Sequence, residues 1–117
     1  MHKFPLRLAL IGGLAFPSFA WANPKFEDFI SNHCLDCHDS AEAKGDIVLE
    51  DLPKDFSDEA IAGTWSKALE QIAFGEMPPK KKKRPDATQS AEIIAWLESE
   101  LTKSGHPPGL REKLQAP

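Results

Sequence analysis

The 117-residue chain has little cysteine, no excess of basic charge and only one sustained apolar run. Each shortage excludes something. The two cysteines, Cys34 and Cys37, are three positions apart. A disulfide between them would close a very small loop and clip no distant segments together, so a disulfide framework is excluded. Basic residues number 14 against 18 acidic ones, a formal charge of −4, which argues against nucleic acid as a partner. The apolar run, Leu8 to Phe16, is shorter than the roughly 20 residues needed to span a bilayer. No internal repeat is found, and no βαβ pattern surrounds the cysteines.

That apolar run makes sense as part of an export signal. Lys3 and Arg7 precede it, and Ala20-Trp21-Ala22 follows with small residues at the two positions a signal peptidase reads. Cleavage is expected after Ala22. Lys3 and Arg7 leave with the signal, so 12 basic residues then face 18 acidic ones, a formal charge of −6. The expected organisation is a signal peptide over 1–22, one domain over 23–104 and a flexible tail over 105–117. A domain this small buries a modest core and often needs a covalent or metal staple.

Three helices are predicted. Asn23-Pro24 reads as an N-cap followed by proline at the first helical position, and Phe26, Phe29, Ile30, His33 and Cys34 recur at helical steps. Residues 39–63 show no sustained period, although Gly45 to Asp51 suits a short extended piece. Thr64 is the expected N-cap of a second helix, with Trp65, Ala68, Leu69, Ile72 and Ala73 on one face and Gly75 as its stop. A third helix is predicted from about Thr88 to Lys103, ended by Gly105 and Pro107-Pro108. The fold class is all-α: three to four helices with long loops, and too few apolar residues to fill a core unaided.

The cysteines supply the missing piece. Cys34-Leu35-Asp36-Cys37-His38 is the attachment signature of c-type haem. Two thiols one helical turn apart can form thioethers with the two vinyl groups on one porphyrin edge. The histidine after the second thiol then offers an imidazole nitrogen to the iron. A zinc site is possible in number, from Cys34, Cys37, His33 and His38, but these crowd into six residues with no second ligand pair. A redox or plain disulfide is the other alternative.

An electron carrier also needs a sixth iron ligand, for which Met77, His33 and His106 are candidates. Met77 lies in a Gly-Glu-Met-Pro-Pro turn, off any helical face, and its thioether is a soft ligand that raises the potential. His33 precedes the first cysteine and reads as an exposed helix residue. Trp65 has two open roles, donating its indole N–H to a haem propionate or simply packing. Lys80 to Arg84 follow the Met77 turn and form either a solvated loop or a rim that steers an acidic redox partner.

Taken together, Cys34–His38, Lys44-Gly45-Asp46-Ile47-Val48-Leu49, Trp65, Gly75-Glu76-Met77-Pro78-Pro79 and Trp96-Leu97 resemble the class I cytochrome c domain, and more narrowly its planctomycete-type subfamily. The resemblance covers about residues 26–101. It implies one covalent haem c with its iron, Cys34 and Cys37 as thioether sites, and His38 and Met77 as axial ligands. It also implies that the first and third helices cross, with Phe29 and Ile30 near Trp96 and Leu97. The expected function is single-electron transfer in the periplasm, not catalysis, with redox proteins as partners, no nucleic acid, and no stable membrane insertion after signal cleavage. The rival expectations are a haem enzyme or gas and peroxide sensor with an open sixth site, and a dedicated haem subunit of a larger oxidoreductase complex.

Overall fold

The computed structural model describes residues 23–115, so the expected signal peptide over 1–22 lies outside the described residues. Over that range the chain forms helices and no strand, which agrees with the all-α expectation. No helix among the described residues is long and apolar enough to cross a membrane.

Helix α1 spans Pro24–His33, and its Asn23 cap behaves as the sequence implies: Oδ1 accepts from the amides of Lys25 and Phe26 at 3.0 and 3.2 Å. A single turn, α2, follows at once over Leu35–His38. The chain then passes through a 3-10 turn at Lys44–Asp46 into extended residues that lead to the buried Leu49.

Helix α3 runs over Glu59–Ala73, starting earlier than Thr64. The reason is Asp58, whose carboxylate accepts from the amides of Ala60 and Ile61 and so nucleates the helix one and a half turns sooner. Thr64 lies inside the helix, where its hydroxyl donates back to the Ala60 carbonyl at 3.3 Å. Helix α4, Ala87–Lys103, opens on a reciprocal capping box between Asp86 and Gln89.

These three long helices share one core. Phe26, Trp65, Leu69, Leu97 and Leu101 are its fully buried side chains. Helix α3 packs on α4, and α1 also touches α4. Phe26 is the centre of the aromatic packing, with ring centroids 5.1 Å from Trp65 and 4.7 Å from Trp96. Phe29 and Ile30 are buried in the same cluster as Leu97, with Trp96 packed against it.

Within the expected C-terminal tail, residues 106–113 make contacts with the helices. The His106 ring gives its Nδ1–H to the Phe56 carbonyl at 3.0 Å, and the His106 amide donates to Leu101. A short helix, α5, follows over Leu110–Gln115; Leu110 is buried, and Lys113 pairs with Glu70 on α3. The apolar signal here is two leucines, the buried Leu110 and the exposed Leu114, too sparse to register as a periodic pattern.

Candidate functional site

Helices α1 and α3, the α2 turn and the loop after α3 enclose a cavity of about 660 Å³. That lies within the range of cofactor sites, roughly 300–1,000 Å³. Ile30, Leu49, Trp65, Ala68, Ile72 and Leu97 make up most of its apolar wall. Cys34, Cys37, His38 and Met77 all line it too. The structure thus brings together on one cavity the motif and the methionine, which are some forty positions apart in sequence.

The motif residues are set by the α2 turn. The Cys37 and His38 amides both donate to the Cys34 carbonyl, at 3.3 and 3.0 Å, so the chain between the thiols is a turn of helix that places residues i and i+3 on one face. Both cysteines are free. Burial pushes the Cys34 thiol up to about 12, which keeps it protonated at neutral pH. Such a site disfavours a thiolate but accepts a neutral thioether at no charge-burial cost. Among the described residues, no group of three or more His, Cys, Asp and Glu side chains comes together in a metal-binding arrangement.

His38 is oriented by the loop that follows it. Its Nδ1 lies 3.0 Å from the Ile47 carbonyl. A carbonyl only accepts, so Nδ1 carries the proton and Nε2 keeps the lone pair a metal requires. The His38 carbonyl in turn accepts from the Leu49 amide at 2.7 Å, which ties the loop to the histidine at both the ring and the backbone. The turn that makes this possible holds Ala43, Gly45 and Asp46 at positive φ (41°, 65° and 60°). The extended piece expected over Gly45 to Asp51 thus begins in a left-handed turn, and the orienting oxygen is a backbone carbonyl that no residue pattern marks.

Met77 is 37 % exposed and lies outside the buried core, which sets it apart from a gap-filling methionine. Pro78 beside it is buried and lines the same cavity. His106, the other distant candidate for a sixth ligand, is not among the cavity-lining residues, and its Nδ1–H is already given to Phe56.

Two more residues line the cavity, Trp65 with two roles left open by the sequence and His33 expected to be exposed. The Trp65 ring is 1 % exposed and forms part of the wall, but its N–H donates to the Pro53 carbonyl at 2.9 Å. The single indole donor is spent there rather than left for a propionate, so Trp65 contributes packing. His33, expected to be exposed, is half-buried: its ring lies 5.1 Å from Phe29, it lines the cavity, and its Nδ1 is buried with no partner.

These features suit a flat, largely apolar macrocycle carrying a metal. The wall is largely hydrocarbon, two cysteine sulfurs lie on one turn, one imidazole has its tautomer fixed, and a thioether comes from a separate segment.

Residues 34–81 match the family described as Planctomycete cytochrome C. Searches of curated proteins and of solved structures gave no match. The matched span begins at the first thiol and runs past the methionine turn, so it contains Cys34, Cys37, His38 and Met77, while His33 lies just before it. The stretch from Cys34 to Lys81 is therefore similar to a planctomycete-type cytochrome c domain, a kind of domain that holds haem c and its iron.

Proposed function

We propose that the protein is an exported single-electron carrier in which Cys34 and Cys37 hold one haem through thioethers and His38 and Met77 are the axial ligands. One observation carries the reading: the Cys34–His38 turn and Met77 open onto the same apolar cavity, with the His38 tautomer already fixed by Ile47. When bound, the haem supplies an iron centre that cycles by one electron. The chain does the rest. His38 and Met77 stay in place through the cycle, so little rearrangement accompanies transfer. The apolar wall excludes water and, with the soft methionine sulfur, favours the lower-charge state.

Export to the periplasm rests on the charged start, apolar run and Ala20–Ala22 site in the sequence. Five consecutive cations, Lys80 to Arg84, follow Met77, and Lys82 and Lys83 line the cavity. We assign to this loop the docking of redox proteins with an acidic face, by charge complementarity.

The test is export of the full chain in a host with haem-ligation machinery, followed by a haem-stained denaturing gel and an absorption spectrum. The expected result is haem that stays with the polypeptide and, in the oxidised form, a weak far-red sulfur-to-iron band. Haem without that band would shift the reading to a sensor or enzyme with an open sixth site. No attached haem, where a control cytochrome matures, would sink the proposal.

A further inference from the structure

The loop from Gly75 to Arg84 is closed at its base by a side chain that the axial-ligand reading does not use. Helix α3 ends at Ala73, and Gly75, at φ 76°, turns the chain out of it. The amides of Glu76 and Met77 both donate back to the Gln71 carbonyl, at 2.9 and 3.1 Å, which fixes how the chain enters the loop. Inside the loop, the Lys82 amide donates to Pro79 at 2.9 Å. At the far end, Arg84 Nη2 donates to the Gly75 carbonyl at 3.0 Å, joining the two ends of the loop. Among the described residues, no ion pair or side-chain hydrogen bond ties Lys80, Lys81, Lys82 or Lys83 to another element.

The placement of Arg84 has a second physical reason. The carbonyls at a helix C-terminus carry partial negative charge, and α3 has no basic residue in its own last turn. Arg84 brings a permanent cation to that end from outside the helix. Its guanidinium therefore makes a charge-assisted bond in a favourable field, stronger than a neutral bond at the same distance.

We propose that Arg84 is the clasp that keeps Met77 in the cavity, a positioning residue acting through the Gly75 carbonyl. The inference rests on Met77 being the axial ligand. With the clasp closed, the Met77 thioether is held at the cavity between Gln71 and the buried Pro78. Without it, no side chain joins the two ends of the loop, only the Gln71 bonds and the buried Pro78 hold the methionine turn, and the partly exposed Met77 leaves more often.

The experiment uses the full-length, haem-loaded protein and three variants: Arg84→Ala, Arg84→Lys and, at an exposed guanidinium on α5 outside the loop, Arg111→Ala. Carbon monoxide binding to the reduced form reports how often the sixth position opens, the far-red band reports ligation, and hydrogen exchange over residues 75–84 reports loop opening. Losing one exposed charge-assisted bond should raise the carbon monoxide binding rate roughly fivefold in Arg84→Ala, with faster exchange at the Glu76 and Met77 amides. Arg84→Lys should fall between it and the wild type. Arg111→Ala, which loses the same charge outside the loop, should match the wild type. Equal rates and exchange in Arg84→Ala and the wild type overturn the clasp. So does an increase in Arg111→Ala as large as that in Arg84→Ala, because lost positive charge alone would then be the cause. A wild type without the far-red band overturns the methionine ligation itself, and the clasp falls with it.

Discussion

The two sides of the cavity are built differently. On the His38 side, the residue is tied through its ring to Ile47 and through its carbonyl to Leu49, and the loop between is stitched by Ser40 to Glu50 at 2.8 and 3.0 Å and by Asp39 to the Ala41 and Glu42 amides. On the Met77 side, the loop is held by backbone bonds to Gln71, the buried Pro78 and the single Arg84 clasp, and the methionine itself is 37 % exposed. One ligand is locked by its surroundings; the other is held by a strap. The contrast follows from how each side begins. His38 sits on the end of two consecutive helical elements, whereas Met77 sits two residues beyond a glycine stop with two prolines after it.

The largest expected effect comes from removing the strapped ligand altogether. Met77→Ala should abolish the far-red band and lower the reduction potential by on the order of 0.1 V, a fraction of the roughly 0.8 V that axial ligation spans. Haem attachment should persist, since Cys34, Cys37 and His38 lie on the other side. Redox titration and a haem-stained gel of the same sample check both halves. A potential unchanged from the wild type would break the comparison, because the loose side would then contribute nothing to the iron.

Much of this arrangement was legible in the sequence, and the illegible parts share a cause. The Cys34–His38 motif, the Asn23 cap and the Met77 turn are short patterns with fixed spacing, and they were readable because local geometry alone gives them meaning. The start of α3 was misread because Asp58 caps it ahead of a run whose apolar face becomes dense only from Trp65. The packing of α5 depends on Leu110 reaching the core and on Lys113 meeting Glu70, contacts between segments that no local pattern announces. The Ile47 carbonyl and the Arg84 clasp are of the same kind. Each uses a backbone oxygen, which every residue possesses, so its role depends on the fold and not on residue identity.

A smaller effect is expected from the charge on the strapped side. Replacing Lys80, Lys81, Lys82 and Lys83 together by glutamine should slow association with an acidic redox protein about tenfold at low salt. The difference should shrink as ionic strength rises, because exposed charges are screened within about 10 Å at 0.1 M. Stopped-flow rates across a salt series measure this. A wild-type rate indifferent to salt would remove the loop from the docking face while leaving the ligand assignments untouched.

The smallest effect tests whether the locked side is independent of the other. Gly45 sits at φ 65° in the turn that presents the Ile47 carbonyl to His38, and a Cβ built there meets nothing within 4 Å. Gly45→Ala therefore costs the left-handed backbone conformation, about 1 kcal/mol, and its methyl meets no other part of the chain. In a domain of this size, that should lower the thermal midpoint by about 4–8 °C. At room temperature His38 should stay ligated, because the α2 turn still holds it beside the attached cysteines. The far-red band and the carbon monoxide binding rate should then equal those of the wild type. Arg84→Ala should show the opposite pattern, with faster carbon monoxide binding and little change in midpoint. If Gly45→Ala instead loses the far-red band well below its midpoint, the two sides are coupled through the cavity, and Met77 depends on the His38 loop as much as on its own strap.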